Sequence, residues 1–448
     1  MFMIHRKEPI FLLIGDVILL VVSLWLALFL RYFELPTFEL YTTHIKPFSV
    51  LFVAWLLVFF IMGMYEKHTV LLKSRLPAIV IRSLIINSLI AVVFFYLVSF
   101  FSITPKTILV IYLAIFCVFT LLWRTQGHRI FGVRERQNAL IIGRGTEMKE
   151  LFDEVNRNNR YGLTFISSID LDSMDVVDFK EEILKRIYSE DIEIIAIDLN
   201  SKKVESILPA LYNLIFSNIR FIDMHKVYED IFDRVPLSLI QYNWFLENIS
   251  ATPKKVYDSI KRVMDIVASV LTGLISLPIY PFVICAIKLE DRGSIFSFQT
   301  RVGKNNKPIK IVKFRTMTLA SDDGVWGQQK NEVTKVGKFL RKSRIDELPQ
   351  VWNVLKGDMS FIGPRPEFFE PVKKYNEQIP YYNIRHIIKP GLSGWAQIYG
   401  EHPHHGVDYE KTQNKLSYDL YYIKNRSIIL DLKIALRTLH TLITFVGR

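Results

Sequence analysis

Cysteine is almost missing from this chain: Cys117 and Cys285 are the two in 448 residues, and both lie inside apolar runs. That excludes a disulfide framework and a CxxC metal site, and leaves two small buried hydrophobes. Acids are in deficit as well, 44 against 56 Lys and Arg, for a net charge of +12. A basic surplus allows three partner classes: nucleic acid, anionic lipid headgroups or phosphorylated substrates. Long apolar runs favour the last two, so no nucleic-acid partner is expected. Internal repeats and low-complexity tracts are absent. No small-residue cleavage site follows the first apolar run, which has His5, Arg6 and Lys7 before it, so that run reads as a retained first span. What is present is an unusual mixture. Half the residues are hydrophobic, yet 22% are charged, and the mean hydropathy is +0.22. A membrane part joined to soluble parts accounts for this, and the length calls for about three units.

Residues 1–125 read as transmembrane helices. Ile10–Leu30, Phe48–Met64, Ile79–Phe101 and Thr107–Trp123 are each long enough to cross. Asp16 interrupts the first run and should face other helices, because a carboxylate is costly at depth. Arg82 can snorkel from a helix end. Cations set the orientation. Arg6 and Lys7 precede the first span, Lys67, Lys73 and Arg75 lie between the second and third, and Arg124, Arg129, Arg134 and Arg136 follow the fourth. An even number of spans then starts the remaining chain in the cytoplasm.

Residues 126–250 read as a Rossmann-like α/β module. Asn138–Ile142 is an apolar strand running into Gly143-Arg-Gly145, and Glu147–Asn158 has helical character. Phe165–Ile169 and Ile192–Ile197 are further buried strands, an alternation that points to a parallel sheet. Gly143-x-Gly145 resembles a dinucleotide turn, but Met148 holds the third glycine position, so the fingerprint is degraded. A linker, Gln241–Lys255, leads to residues 251–448. There the apolar run 263–289 carries Asp265, Gly273, Pro278 and Pro281. Proline in mid-run breaks a helix. The run is either a kinked fifth span or a broken helix that enters the membrane and returns.

Residues 290–400 are dense in groups that handle phosphate. Arg301, Lys304, Lys310, Lys313 and Arg315 lie on strand-like stretches, with Lys313 and Arg315 on one face and Val312, Phe314 and Thr316 on the other. A solvated strand face would look the same. Ser343 and Asp346 in Arg341-Lys-Ser-Arg344-Ile-Asp-Glu347-Leu-Pro-Gln fit a capping box, which predicts a helix starting at Ser343. A well-capped surface helix is one reading. The run that follows, through Gly357-Asp358 to Gly363-Pro-Arg365-Pro366, is an unusual way to build mere surface. Adjacent carboxylates point about 100° apart on a helix and can divide labour. One can attack phosphorus while the other holds a divalent cation, with arginines on the oxygens. Asp346, Glu347 with Mg²⁺, and Arg341, Arg344 and Arg365 supply those parts.

Five ordered motifs, Lys313-Phe-Arg-Thr-Met317, Ser343–Gln350, Asn353–Ser360, Gly363–Pro366 and Lys389–Gln397, resemble the bacterial sugar transferase family of polyprenyl-phosphate sugar-1-phosphate transferases. The likeness runs from about Lys254 to the C-terminus, and the whole layout resembles the large members. It implies a multi-domain membrane protein: a four-helix transmembrane bundle, a Rossmann-like module, and a C-terminal α/β catalytic domain with a re-entrant membrane helix. It implies that Asp346 is a nucleophile and Glu347 a Mg²⁺ ligand. It further implies transfer of a hexose-1-phosphate from a UDP-sugar to polyprenyl (undecaprenyl) phosphate. UMP would be released through an aspartyl phospho-sugar, as the first membrane step of exopolysaccharide, capsule or O-antigen synthesis. Arg301, Lys313, Arg315, Arg341, Arg344, Asp358 and Arg365 are the candidate substrate-binding residues, and Pro278 and Pro281 the candidate break. Nucleotide-sugars are cytoplasmic, so the re-entrant reading is preferred, with the site on the cytoplasmic face of the bacterial inner membrane. A homodimer is a further expectation. The family breaks its re-entrant helix at a Ser-Pro pair, whereas Leu277 precedes Pro278 here and Ser276 stands one place earlier.

Other patterns are weaker. Tyr257-x-x-x-Lys261 has a reductase spacing. His402, His404 and His405 read as an exposed loop around Pro403 rather than a metal site. Ser427–Val446 is amphipathic and either lies on the membrane or completes the core. Two rival functions remain: a nucleotide-sugar oxidoreductase or dehydratase, which would need an intact glycine fingerprint, and a polysaccharide-assembly scaffold, which would not need the acid pair. A transporter would need paired broken helices.

Overall fold

Long apolar runs become long helices. The computed structural model describes residues 8–65, 76–97, 106–130, 136–158, 161–172, 176–199, 201–205, 208–217, 219–249, 254–318, 332–401 and 408–444. Arg6, Lys7, Lys67, Lys73, Arg75, Phe101, Arg134 and the His402–His405 stretch lie outside them. Two compact units result: Met1–Gln137 with Val155–Thr164, and Asn138–Glu154 with Phe165–Arg448.

The first unit contains α1 (Glu8–Tyr32), α2 (Phe38–Ile61), α3 (Leu76–Leu97) and α4 (Lys106–Ile130). All four are long and apolar enough to cross a membrane. Helix α2 begins at Phe38 rather than Phe48. Thr37 caps it by accepting the Leu40 N–H at 3.3 Å, and the helix runs through Pro47. Hydropathy alone could not find this polar first part. An aromatic core forms where Trp55 of α2 stacks on Tyr112 and Phe116 of α4, at 5.4 and 5.9 Å between ring centroids. Asp16 of α1 is fully buried and pairs with Arg124 of α4. Tyr65 donates to the same carboxylate at 2.7 Å, and Arg124 donates to the Met64 carbonyl at 3.0 Å. The anomalous acid is thus an interhelical tie, paired as a buried charge must be.

After the four helices, β1 (Gln137–Gly143), β2 (Leu163–Asp170), β3 (Ile194–Ile197) and β4 (Arg220–Asp223) form a sheet in the order β2-β1-β3-β4. β1 pairs with β3, and β3 with β4, in parallel. Helices α5 (Gly145–Arg157) and α6 (Val176–Ser189) follow β1 and β2. Leu140, Ile142, Ile195 and Ile197 form the sheet's core. β4 escapes sequence reading because its four residues are half-buried and begin and end on charge.

Next comes a bent helix pair, Lys255–Ser276 and Ile279–Asp291, with 61° between its arms. Leu277 and Pro278 form the break. The Ser276 hydroxyl donates to the Gly273 carbonyl at 3.0 Å, so a serine one place early still bonds into the preceding turn. Asp265, another anomaly in an apolar run, accepts the Ser360 hydroxyl at 3.0 Å and the Phe361 N–H at 3.1 Å. Arg262 donates to the carbonyls of Val354 and Leu355, each at 2.6 Å. These bonds fasten the first arm to the α/β domain that follows. That domain holds the antiparallel hairpin β5 (Phe296–Val302) and β6 (Pro308–Phe314) and the short parallel pair β7 (Ser360–Ile362) and β8 (Gly391–Ser393). Trp395, Leu420, Tyr422 and Ile434 are in its core.

Candidate active site

The site begins on the hairpin. β6 is held at its edge by Asn353, whose amide donates to the Lys310 carbonyl at 2.7 Å and whose oxygen accepts the Val312 N–H at 3.1 Å. Lys313 is thereby aimed inward. Of the two readings of this face, the solvated one does not hold at these positions: the Lys313 side chain is 17% exposed and Arg315 is buried.

The acid pair sits on a different element from the one the capping box predicts. Ser343 ends the helix Lys335–Ser343, and its hydroxyl donates back to the Phe339 carbonyl at 2.9 Å. Arg344 then turns left-handed, at φ 58°, and the 3-10 turn Ile345–Gln350 follows. Arg344, not Ser343, precedes the turn that carries the acids, and no side chain caps that turn. The left-handed residue stops the first helix, as C-caps do.

Asp346 and Glu347 open this tight turn in unlike surroundings. Glu347 Oε1 accepts Lys313 Nζ at 2.7 Å and Arg365 Nη2 at 3.1 Å, and Arg344 Nη1 is 3.6 Å from Oε2. Burial acts to raise the pKa of Glu347, but Arg365 and Lys313 outweigh it and hold the carboxyl far below the usual range. Asp346 is buried, and no hydrogen bond to its carboxylate is found among the described residues. Burial raises its pKa, and the Glu347 charge adds to this, against the pull of Lys313, Arg341 and Arg344. One acid is thus locked and compensated, the other unengaged and more basic. Environments that push neighbouring carboxylates apart assign them different tasks.

The cations converge on this pair. Arg341 donates from Nε to Thr316 Oγ1 at 2.9 Å and bears on Asp346. The Arg301 guanidinium lies over the Phe368 ring at 3.3 Å, and burial lowers its pKa to about 10. Asp358 pairs with Lys356 at 3.5 Å rather than with the dyad. Arg315 is buried beside the strand end, its backbone N–H donating to Ile295 O at 2.9 Å.

A buried charge network behind Arg365 escaped the sequence reading. Arg385 donates to Asp419 and, at 2.8 Å, to Tyr382 Oη, and its Nη2 donates to the Arg365 carbonyl at 3.1 Å. Lys415 pairs with Glu367. Burial pushes Glu367 up, but Lys415 and Arg385 pull it down to about 2. The available signal was Lys415 and Asp419, one helical turn apart among the apolar residues Leu416, Leu420 and Ile423. The Pro364-Arg365-Pro366 segment is positioned by close backbone contact too. A Cβ on Gly391 would lie 2.1 Å from the Gly363 nitrogen, which only glycine permits.

Two other motifs are accounted for without substrate chemistry. Tyr257 and Lys261 both donate to Asp431 Oδ2 at 2.8 Å. At the degraded glycine turn, a Cβ on Gly143 would meet Met224 Sδ at 2.6 Å, and Ser238 bonds Glu147 across Gly145. The protein's own side chains pack against this turn, where a pyrophosphate would otherwise approach the backbone.

The acid pair fits Mg²⁺. Glu347 Oε2 and the Asp346 carboxylate accept no hydrogen bond among the described residues. No cluster of three His, Cys, Asp or Glu is found there either. A cation would complete its shell with phosphate oxygens and water, as Mg²⁺ does at phosphoryl-transfer sites.

Residues 256–445 match the family described as bacterial sugar transferase. The chain is 45% identical over 203 residues to a UDP-N-acetylgalactosamine-undecaprenyl-phosphate N-acetylgalactosaminephosphotransferase of Aeromonas hydrophila, covering 44% of this chain and 47% of that protein. It is 40% identical over 196 residues to a UDP-glucose:undecaprenyl-phosphate glucose-1-phosphate transferase of Caulobacter vibrioides, 43% of this chain and 73% of that protein. It is 38% identical over 191 residues to the exopolysaccharide production protein PSS of Rhizobium leguminosarum bv. phaseoli, 40% of this chain and 92% of that one. The match spans under half the length of the Aeromonas protein but most of the other two. The acid pair, the cations around it and all but the first residue of the bent helix pair lie within the matched residues, and the chain belongs to the bacterial sugar transferase family.

Proposed function

We propose that this protein transfers a hexose-1-phosphate from a UDP-sugar to undecaprenyl phosphate and releases UMP. The observation that carries the reading is the contrast between Asp346, unengaged and raised in pKa, and Glu347, held by Lys313 and Arg365. A carboxylate oxygen of Asp346 attacks the phosphorus next to the sugar. The bond from that phosphorus to the bridging oxygen breaks, and UMP leaves with the electron pair. A phosphate oxygen of the lipid then attacks the same phosphorus, and the Asp346 carboxylate is restored. Splitting one displacement into two is what covalent catalysis contributes. Arg301, Arg341, Arg344 and Arg365 orient the phosphate oxygens, with Arg315 and Asp358 supporting the substrate pocket. Mg²⁺ held by Glu347 would neutralise pyrophosphate charge.

The same reading divides the chain into a four-helix membrane part, 1–125, a Rossmann-like module, 126–250, and the transferase domain, 251–448. Its bent helix enters and leaves the cytoplasmic face of the inner membrane at the Pro278 break, with Pro281 beyond it. The relatives' names support a role in polysaccharide assembly. The test is UMP release by purified protein with undecaprenyl phosphate, Mg²⁺ and a panel of UDP-sugars. Asp346→Asn and EDTA should each abolish it, and full activity in Asp346→Asn removes the nucleophile. Single cysteines at Ser294 and Lys424, with Cys117 and Cys285 replaced, should label from the cytoplasmic side. Labelling from outside means a fifth crossing.

A further inference from the structure

Several of the more buried cations in this domain meet acids, as Lys313 meets Glu347, Arg385 Asp419 and Lys261 Asp431. One cavity gathers three cations that do not. It has a volume of about 640 Å³ and is lined by Lys254, Lys255, Tyr257, Ile260, Arg426 and Ile428, among others. Lys254 Nζ reaches only the Arg426 carbonyl, at 3.4 Å, and Arg426 Nε the Ile423 carbonyl, at 3.2 Å. Among the described residues none of the three cations meets a carboxylate. The Tyr257 hydroxyl is taken by Asp431, so the ring lines the cavity as an apolar wall with Arg426 at 6.0 Å.

Position gives the cluster its meaning. Exposed apolar residues run up the same helix from Val256 through Ile260, Val263, Val267 and Leu271 to Leu274, at helical spacing. Ile429 and Leu432 are exposed on the neighbouring helix. Three unmatched cations therefore stand at the foot of an apolar stripe, the place of headgroups when such a stripe enters a bilayer. We propose that this cavity binds the phosphate of an anionic phospholipid, with Ile260 and Ile428 against its glycerol and first methylenes. A zwitterionic headgroup would bring its own cation toward the cluster, and a free phosphate would leave the aliphatic wall unused. The inference rests on the bent helix entering the membrane.

The test is native mass spectrometry of the full chain in detergent, offered phosphatidylglycerol and phosphatidylcholine in equal amounts. One phosphatidylglycerol should be retained in preference. Lys254→Gln/Lys255→Gln should weaken that preference on the order of thirtyfold, and Arg426→Gln by about fivefold. Lys254→Arg/Lys255→Arg should keep it, as should Lys373→Gln/Lys374→Gln on an exposed helix elsewhere. An unchanged melting temperature in the glutamine variants would tie the loss to charge. The proposal fails if the wild-type chain retains both lipids alike, if the Lys254/Lys255 variant keeps its preference, or if the Lys373/Lys374 control loses it equally. Displacement by inorganic phosphate, or by undecaprenyl phosphate together with UMP release, also overturns it, by making the cavity a soluble-anion or acceptor site. Retention is read without turnover, so a dead enzyme with intact lipid preference counts against the catalytic reading alone.

Discussion

Lys313 Nζ and Arg365 Nη2 share one oxygen of Glu347, at 2.7 and 3.1 Å. They come from a β-hairpin and from a Gly-Pro-Arg-Pro turn, so the carboxylate joins two elements as well as two charges. Lys313→Met should lower kcat/KM about a hundredfold, the usual effect of losing one preorganised charge contact. The double variant Lys313→Met/Glu347→Gln should lose less than the product of the single losses, because the pair acts as a unit. Strictly multiplicative losses would mean the two residues work independently.

The pH profile should report Asp346. Its pKa is raised, first by burial and then by Glu347, and Arg341 opposes the rise. The proposed attack requires the ionised form, so the acid limb of kcat/KM should lie above the ordinary aspartate range. Arg341→Gln removes a group that lowers this pKa, and the limb should move to higher pH. A limb that stays in place would detach Arg341 from Asp346.

His386 provides a stability test away from the chemistry. Both ring nitrogens are buried without a hydrogen-bond partner among the described residues, and burial, helped by Arg385, lowers its pKa to about 3. The unfolded chain takes up a proton below about pH 6.5, and the folded chain does not until about pH 3. Stability is therefore full above about 6.5 and falls as pH drops toward 3, by up to about 1.4 kcal/mol per unit. His386→Phe should flatten the Tm against pH curve in that window. An equally steep curve would place the acid sensitivity elsewhere.

Two glycines should behave in opposite ways. Gly391→Ala sets a Cβ 2.1 Å from the backbone of Gly363 and should cost about 3 kcal/mol, with activity lost as the Arg365 turn shifts. Gly273→Ala meets nothing within 4 Å on a helix and should gain up to about 1 kcal/mol. Thermal melts of both variants decide it. Equal behaviour would dismiss the close approach as the cause.

Membrane runs, sheet strands and the order of the motifs were legible because each is a local pattern of hydrophobicity or spacing. The start of α2 was hidden by Glu39, His44, Lys46 and Pro47, which dilute the hydropathy of a helix that is nonetheless continuous. Ser343 was misread because the same hydroxyl can serve the helix ahead or the helix behind, and only the conformation of the next residue decides. The Glu367, Arg385, Lys415 and Asp419 network was invisible for a different reason. Its members are scattered over about fifty positions, and only the folded topology brings them together, since buried charges choose partners by space and not by sequence.

Arg344 has one more consequence. A single left-handed peptide joins the helix Lys335–Ser343 to the turn bearing Asp346 and Glu347. Asp346 is two residues from that joint, so its arm is short, and the handedness of the joint sets the direction of its carboxylate. A side chain branched at Cβ would stiffen the joint toward the wrong hand, whereas glycine would slacken it. Arginine lets the same position act as hinge pin and electrode, fixing the direction of the acids with its backbone and tuning their charge with its guanidinium.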